Sequence, residues 1–458
     1  MTGKDLIDAG HKPGKWFVVA LERANSALSE GASHEQALAL AAEFAPPPVI
    51  ELDRVGSKPL HLNIDAETEE EDQNIASVRH SMERLLRTPV VKSGAVMPDA
   101  CPAGPDGTIP VGGIVASSEI HPGMHSADIC CSMAITRFGK ADPKKLLDMV
   151  QAVTHFGPAN RKNPVPLPAA IGQAVDGNKF LREHGDIAQR HFATQGDGNH
   201  FAYVGQSKAT GETILVTHHG SRGLGARLYS AGMKLADRYR RELSPETQKQ
   251  NAWIPADSAD GEAYWDALQI VRDWTKANHF AIHDLVAELS DEAASDRFWN
   301  EHNFVFRKQD GLFYHAKGAT PAFDGWADDA TDLTIIPLNM AEPVLIVRGK
   351  DAGHGLGFSP HGAGRNMSRT AHKRRLGDRP ELDVFAEETA EIDARFFSGE
   401  IDVSELPSAY KNAAAVRGQI EKYDLAEIVD EVLPYGSIMA GDWERNAPWR
   451  KKREKKKT

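Results

Sequence analysis

The pattern of apolar and polar positions changes near residue 88. Residues 20–43 are rich in Ala, Leu and Glu and are interrupted at Gly31, which predicts helices on either side of that glycine. Residues 65–87 begin with an acidic half and end with basic side chains, a polarity that suits the dipole of a helix. We therefore predict a helical N-terminal extension over residues 1–87.

Beyond Pro89, short apolar runs alternate with glycine and proline, which is typical of strands and turns. The predicted strands are residues 90–91, 95–97, 114–116, 134–136, 201–204, 213–217, 311–315, 333–337 and 344–347. The predicted helices are residues 143–156, 177–192, 224–243, 261–289, 384–396 and 412–432. This order has no internal repeat and no regular βαβ rhythm, so it favours one large α+β domain over residues 88–441 rather than a doubly wound sheet.

Composition and charge narrow the class of protein. The chain has 458 residues, of which 41% are hydrophobic and 26% charged, as is ordinary for a globular protein with a large core. A net charge of −12 is not a general polyanion-binding signature. Positive charge is local, at residues 372–375 and in a tail over residues 442–458 that we predict to be basic and disordered.

Three features bear on the compartment. The chain has only three cysteines, Cys101, Cys130 and Cys131, which argues against a disulfide framework and hints at a thiolate ligand or a reactive thiol. No apolar run is long enough to span a bilayer, and the N-terminus lacks the apolar region of a signal peptide. We therefore expect a cytoplasmic protein without a membrane partner.

One stretch combines groups that suit phosphoryl chemistry. Residues 359–369 read SPHGAGRNMSR, with a histidine, two glycines and two arginines. Glycine lets a backbone approach a ligand closely, and arginine forms bidentate hydrogen bonds to phosphate. A histidine here, His361, can attack a phosphoryl group and hold it covalently. The alternative is a glycine-rich turn followed by solvated arginines.

Five segments hold metal-ligand side chains, and the last is His361 itself. The others are Asp128 to Cys131, Asn199-His200, His218-His219 and His302-Asn303. Nitrogen, oxygen and sulfur donors together suit Mn, Fe, Co or Zn rather than Mg or Ca. Each histidine alone is more often a packing residue, and His121, His125, His219 and His354 stay ambiguous.

Together these segments resemble the RtcB family of RNA ligases. The matching pieces are Met97-Pro98-Asp99, Asp128-Ile129-Cys130-Cys131, Gly198-Asn199-His200-Phe201, His218-His219-Gly220-Ser221-Arg222-Gly223, His302-Asn303, Lys317-Gly318-Ala319-Thr320, residues 361–369 and Ala409-Tyr410-Lys411. They follow the family's order from about residue 88 to about residue 441. The resemblance implies an RtcB-like mixed α/β domain around a dinuclear metal site.

The resemblance also implies roles. His361 would take GMP from GTP, and the GMP would pass to an RNA 3′-phosphate before a 5′-hydroxyl displaces it. The implied ligands of two Mn²⁺ ions are Asp128, Cys131, His200, His218 and His302, with the thiolate bridging. The implied nucleotide-binding residues are Asn199, His200, His302, Asn303, His361, Gly362, Ala363 and Gly364. The implied partners are RNA 3′-phosphate or 2′,3′-cyclic phosphate ends and 5′-hydroxyl ends, in RNA repair or tRNA splicing, and an archease-like helper is considered.

The chain departs from the family pattern at several positions, most of which the family uses to hold the nucleotide. Cys101 replaces a histidine, Tyr203 a glutamate, Ala316 an arginine, residues 338–341 a Gly-Ser-Met-Gly segment, and residues 436–441 a Lys-Gly end. Two alternatives are a paralogue that binds RNA ends without ligating them and a metal-dependent cyclic phosphodiesterase. The presence of His361 argues against both, since neither needs a nucleotidyl acceptor.

Overall fold

A computed structural model describes residues 1–45, 49–158 and 160–443. Residues 444–458 of the predicted basic tail lie outside these ranges. The helices in the described part are α1 (Gly3–Asp8), α2 (Trp16–Ser29), α3 (His34–Ala42), α4 (Glu69–Leu85), α5 (Pro143–Val153), α6 (Ala169–Gly177), α7 (Gly185–Arg190), α8 (Arg222–Leu243), α9 (Ala259–Ala287), α10 (Arg369–Leu376), α11 (Glu381–Glu388) and α12 (Ala413–Lys422). None of them combines the length and the apolar content needed to cross a membrane.

The strands of the described residues form two large sheets and one small one. They are β1 (Leu60–Leu62), β2 (Val91–Cys101), β3 (Val111–Ser117), β4 (Ser132–Arg137), β5 (Phe201–Ser207), β6 (Thr213–His219), β7 (Ser295–Glu301), β8 (Asn303–Arg307), β9 (Phe313–Lys317), β10 (Ala319–Pro321), β11 (Leu333–Pro337), β12 (Val344–Gly349), β13 (Phe358–Pro360), β14 (Asp393–Phe396) and β15 (Ala426–Met439). Helices and strands thus mix along one chain, as the sequence predicted.

The larger sheet carries most of the candidate ligands. Its strands lie in the order β11-β12-β15-β5-β6-β4-β7, and β14 adds alongside β15. All neighbours are antiparallel except β14 and β15. The second sheet has the order β1-β2-β3-β9-β8, and β10 pairs with β13. Helix α9 packs along the neighbouring strands β4 and β6 of the larger sheet.

The N-terminal residues form two kinds of contact. Helices α1 to α3 pack on one another through a small cluster that includes Leu6, Ala20 and Ala41. Helix α4 instead shares a hydrophobic core with β2, because Met82 and Val96 belong to one cluster. The boundary at residue 87 therefore remains a prediction, and the residues on its two sides share a core.

The largest differences from the predicted elements lie near the C-terminus. Residues 412–432 contain α12 followed by the long strand β15, rather than one helix. The chain turns at Asp424, which has a φ of 47°, and the segment that follows is rich in β-branched residues that pair with β12 and β5. Likewise, residues 384–396 contain the end of α11 and then β14.

Candidate metal and nucleotide site

Neighbouring strands of the larger sheet bring the five predicted metal ligands together. Cys131 directly precedes β4, His200 directly precedes β5, His218 lies near the end of β6, and His302 directly follows β7. Strands β5, β6, β4 and β7 are adjacent and antiparallel, so these four positions meet at the same edge of the sheet. Asp128 reaches the same place from the loop before β4.

The distances group the ligands into two triads. The Sγ atom of Cys131 lies 3.2 Å from Nε2 of His218 and 3.7 Å from Nε2 of His200. Nε2 of His200 lies 3.1 Å from Oδ2 of Asp128, and the Nε2 atoms of His218 and His302 are 3.2 Å apart. One triad is Cys131, His218 and His302, the other is Asp128, Cys131 and His200, and within each the donor atoms lie within 4.8 Å of one another. The thiol belongs to both.

Hydrogen bonds from the far side of the rings point two histidines into the cluster. Nδ1 of His200 lies 2.6 Å from the carbonyl oxygen of Gln195, and Nδ1 of His218 lies 3.1 Å from that of Asn199. A ring that donates its Nδ1–H to a carbonyl keeps the lone pair on Nε2 for a metal. Burial, and then the neighbouring His200, lower the pKa of His218 to about 3, so this imidazole is neutral at pH 7.

The surroundings of the Cys131 thiol oppose its ionisation unless a cation is bound. Burial and the nearby Asp128 carboxylate raise the pKa of Cys131 well above its usual value. A metal ligand must be a thiolate, and a bound divalent ion stabilises that form. Together the cluster offers one sulfur, three imidazole nitrogens and one carboxylate, a donor set that suits a first-row divalent ion such as Mn²⁺.

Backbone contacts fix the two loops that carry the ligands. The Cys130 amide donates to the carbonyl oxygen of Asn303 at 2.7 Å, and the His302 amide donates to that of Cys131 at 2.9 Å. The Asp128 carboxylate lies against Gly220, where a Cβ would overlap its oxygens. The glycine after the second histidine of the His218-His219 pair thus leaves room for the acid.

His361 lies at the margin of the cluster and is held by a buried carboxylate. Its ring centroid is 4.9 Å from that of His302. Nδ1 of His361 lies 2.5 Å from Oδ2 of Asp99, and the His361 amide donates to the same oxygen at 3.2 Å. Asp99 is fully buried. When the Nδ1–H group of His361 donates a hydrogen bond to Asp99, the lone pair on Nε2 is available for attack.

Asp99 lies beside a proline and near a loop, where an aspartate is commonly a turn former, but the structure gives it a different place. Asp99 lies inside β2, where the register with β3 shifts between Val96 and Cys101. Pro98 has no amide hydrogen for the ladder, so an irregularity here is expected. Lys411 fixes the segment, since its Nζ donates to the carbonyl oxygens on either side of Asp99, at 3.1 and 2.9 Å. The match of Met97-Pro98-Asp99 to the family motif was the available signal.

The glycine-rich turn lines a cavity beside His361. Gly362, Ala363 and Gly364 lie in its wall with Asn199 and Asn303. Gly364 has a φ of 72°, and a Cβ there would overlap the carbonyl oxygen of Asp99. All eight predicted nucleotide-binding residues therefore lie in the metal cluster, in this wall, or at His361 between them. Their roles remain predictions.

Two arginines whose chemistry suits phosphate, Arg222 and Arg365, already have acceptors within the protein. Arg222 donates to the carbonyl oxygen of Gly157 at 3.0 Å and to the Thr194 hydroxyl at 3.2 Å. Arg365 donates to Oε2 of Glu405 at 2.7 Å and to the carbonyl oxygen of Ser404 at 2.6 Å. Both guanidinium groups hold the walls of the site together.

The ambiguous histidines lie outside the two triads. His121, His125 and His219 are buried, and their rings meet other partners, such as His279 stacked on His219 with centroids 3.4 Å apart. His354 hydrogen-bonds through Nε2 to the carbonyl oxygen of Tyr423 at 2.7 Å.

A buried ion pair supports the loop that carries His302. Nε of Arg272 lies 2.6 Å from Oε1 of Glu301, and both side chains are buried. The substitution Arg272→Met is expected to lower the free energy of unfolding by about 3–5 kcal/mol, because it leaves the Glu301 carboxylate buried without its partner. Urea denaturation measures this loss. The matched control, Arg297→Met, breaks the exposed pair with Asp284 and is expected to cost less than about 1 kcal/mol. Equal losses in the two variants would contradict the argument.

The fold and the site define a class, namely a mixed α/β protein in which a donor cluster with a shared thiol lies beside a histidine that begins a glycine-rich turn. Comparison with known proteins gives the family. The family model described as "tRNA-splicing ligase RtcB" matches residues 169–440, more than half of the chain. The chain therefore belongs to the RtcB family.

Curated relatives agree with this assignment. The tRNA-splicing ligase RtcB of Thermococcus kodakarensis is 27% identical over 281 residues, which cover 53% of this chain and 58% of that protein. The tRNA-splicing ligase RtcB of Pyrococcus horikoshii is 27% identical over 282 residues, 53% of this chain and 32% of that protein. The RNA-splicing ligase RtcB of Escherichia coli K12 is 25% identical over 403 residues, 77% of this chain and 92% of that protein. The matches thus span less than two thirds of the two archaeal relatives and most of the bacterial one.

Proposed function

We propose that this protein is a GTP- and Mn²⁺-dependent RNA ligase of the cytoplasm. It joins RNA 3′-phosphate or 2′,3′-cyclic phosphate ends to 5′-hydroxyl ends through a guanylyl-histidine, in RNA repair or tRNA splicing. The single observation that carries the proposal is His361, hydrogen-bonded to the buried Asp99 and placed next to two donor triads that share Cys131. The names of the relatives, RNA-splicing and tRNA-splicing ligases, support the same reaction class.

The first step uses the His361 ring. Nε2 of His361 attacks the α-phosphorus of GTP, so that an N–P bond forms, the bond to the bridging oxygen breaks and pyrophosphate leaves. Asp99 holds the proton on Nδ1 and stabilises the positive charge that the ring gains. The cavity wall of Gly362, Ala363 and Gly364 offers backbone close to the nucleotide.

The later steps move the nucleotide onto RNA. An oxygen of the RNA 3′-phosphate attacks the phosphorus of the adduct, and the N–P electron pair returns to His361. The 5′-hydroxyl then attacks the 3′-phosphorus, GMP leaves, and the hydroxyl proton passes to solvent. A 2′,3′-cyclic phosphate needs one water molecule first, which opens it to the 3′-phosphate. Splitting the reaction in this way gives a phosphate a good leaving group.

The metal ligands would be Asp128, Cys131, His200, His218 and His302. Two Mn²⁺ ions held by them would neutralise phosphate charge and activate a bound oxygen. In the protein itself, the carbonyl oxygens of Gln195 and Asn199 orient two of the imidazoles, which keeps the cluster arranged for binding.

The proposal is tested on the full chain with Mn²⁺, GTP and two RNA strands, one ending in a 2′,3′-cyclic phosphate and the other starting with a 5′-hydroxyl. We expect a joined product, and a protein mass increased by one GMP when RNA is omitted. Opening of the cyclic phosphate without joining, independent of GTP, would favour the phosphodiesterase alternative. RNA binding without an adduct would favour the end-binding alternative. An adduct without joining would indicate that an archease-like helper is needed.

Asp99 is proposed as a positioning residue. The substitution Asp99→Asn keeps the size of the side chain but removes the charge that stabilises a positively charged His361 ring, so we expect adduct formation to slow by about 100-fold or more. The affinity for GTP should change little, because the Asp99 carboxylate faces the ring rather than the cavity. Single-turnover kinetics at several GTP concentrations separate the two quantities. A weaker affinity for GTP with an unchanged maximal rate would contradict this role.

A further inference from the structure

The cavity beside His361 extends from the metal cluster across three strands of the larger sheet. In the strand register, His218 on β6 lies opposite Phe201 on β5, which lies opposite Met439 on β15. One pleat further along, Tyr203 lies opposite Ser437. Since neighbouring strands are about 4.8 Å apart, this row spans about 10 Å. A nucleoside attached to His361 would place its phosphate near the cluster and its base near β15.

The wall at the β15 end of the cavity is apolar. Six of its side chains are hydrophobic: Phe201, Tyr203, Leu338, Met340, Val344 and Met439. All of them except Phe201 are buried, so a base that enters this end leaves most of its water behind.

Most polar groups of the same wall already have partners. The Tyr203 hydroxyl donates to the carbonyl oxygen of Val432 at 2.7 Å, and Oδ1 of Asn339 accepts from the Ala341 amide at 2.9 Å. Glu405, the one carboxylate among the described lining residues, faces two arginines and accepts from the Tyr410 hydroxyl at 2.7 Å. Its charge is therefore already balanced by Arg365 and Arg369, each 2.7 Å away, although Oε1 itself accepts no hydrogen bond.

Two polar atoms of the wall have no hydrogen-bond partner among the described residues, Oε1 of Glu405 and Oγ of Ser437, and only the first of them lies against a charged group, Nε of Arg369 at 2.7 Å. The Oγ atom of Ser437 is buried and has no hydrogen-bond partner among the residues that the structure describes. A buried polar group without a partner is unusual, and a ligand atom is one way to satisfy it. Its position opposite Tyr203 places it at the β15 end of the cavity.

We propose that this end of the cavity accepts a purine by shape and apolar contact, with Ser437 as its free hydroxyl and the Glu405 carboxylate held by two arginines, so that the protein takes ATP at least as well as GTP. This inference rests on the proposed function, because it assumes that a nucleotide reaches His361. It names the class of nucleotide that the site admits.

Guanine and adenine differ in the hydrogen-bonding groups that this wall would leave without a partner. Guanine presents two adjacent donors, the N1–H and the 2-amino group, and a carboxylate is the acceptor that matches both. Adenine presents the 6-amino group beside the N1 acceptor. A hydroxyl such as that of Ser437 can accept a hydrogen bond from the 6-amino group or donate one to N1. A buried donor without an acceptor weakens binding by about tenfold or more. An apolar wall with one hydroxyl therefore does not favour guanine.

The test measures equilibrium binding and adduct formation separately. Binding of ATP and of GTP to the His361→Ala variant with Mn²⁺ is followed by calorimetry, and adduct formation on the wild-type chain by intact mass. Affinity for ATP equal to that for GTP within about threefold, or higher, supports the inference. A preference for GTP beyond about threefold overturns it, and so does failure of both nucleotides to bind.

Two variants sharpen the result. Ser437→Ala is expected to weaken ATP binding by about fivefold, with a smaller effect on GTP. The control, Thr334→Ala, removes another buried hydroxyl without a partner from β11, outside the lining of this cavity, and should change neither affinity. Ser437→Asp installs an acceptor and should shift the preference toward GTP. Met340→Glu offers the same test at a less buried wall position if S437D does not fold. An unchanged preference in the folded acidic variant would overturn the inference.

The two proposals fail in different ways. If no nucleotide forms an adduct with the wild-type chain, the ligase proposal fails, while the ratio of the two binding constants still decides the base preference. If an adduct forms only with GTP, the ligase proposal stands and the inference about the base falls.

Discussion

Replacement of His361 by alanine is expected to lower both adduct formation and RNA joining by at least about 1000-fold. The variant loses the only group that the proposed mechanism uses to accept GMP. Intact mass after incubation with Mn²⁺ and GTP measures the first step, and a labelled RNA strand measures the second. The metal content should stay at the wild-type level, because His361 belongs to neither triad.

A matched control exists within the same chain. His354 also precedes a glycine, but it lies away from the cluster and hydrogen-bonds to the carbonyl oxygen of Tyr423. His354→Ala should therefore form the adduct at a rate close to that of the wild type. An adduct that persists in H361A would place the nucleophile elsewhere, and the mechanism proposed for this site would have to be abandoned.

The candidate metal ligands could be named from the sequence because their chemistry is local. A carboxylate and a thiol three residues apart, and histidines next to asparagine or glycine, already indicate a ligand set. What the sequence alone could not supply is their convergence, since Cys131 and His302 are far apart along the chain. Their approach depends on the pairing of β4 with β7, and β7 itself was not predicted, because its first three residues are polar and exposed.

The role of Asp99, unlike the chemistry of the candidate ligands, could not be predicted from its neighbours in the sequence. A Pro-Asp pair near a loop has a local reading as a turn, and this reading needs no information from elsewhere. Its actual place follows from long-range contacts, namely the pairing of β2 with β3, the hydrogen bonds from Lys411 and the approach of His361. Partners of this kind are not encoded in the neighbouring residues, so the motif match singled out Asp99 without showing which groups it contacts.

The same argument explains the arginines and the C-terminal strand. A sequence shows that Arg222 and Arg365 are able to bind phosphate, but it does not show that carbonyl and carboxylate groups of the protein already occupy them. Residues 426–439 form a strand because β12 and β5 flank them, whereas their composition alone also allowed a helix. In both cases the outcome depends on distant parts of the chain.

Cys131→Ala is the substitution for which we expect the largest loss of metal. Cys131 is the one residue that both triads share, so its removal takes a ligand from each, and we expect affinity for Mn²⁺ to fall by more than about 100-fold at both positions. Adduct formation should fall with it. Metal analysis after gel filtration gives the stoichiometry, and Co²⁺ in place of Mn²⁺ gives a thiolate charge-transfer band that reports the sulfur ligand directly.

The neighbouring cysteine is the control that separates ligation from burial. Cys130 is equally buried and adjacent, but it lies in the hydrophobic core and belongs to neither triad. Cys130→Ala should keep the metal and the charge-transfer band, with at most a modest loss of stability, because only a small apolar group is removed. If C131A retained two ions, or if C130A lost the band, the bridging thiolate would be the wrong assignment. Loss of metal in C131A alone is expected because only the Cys131 sulfur lies within reach of both His200 and His218.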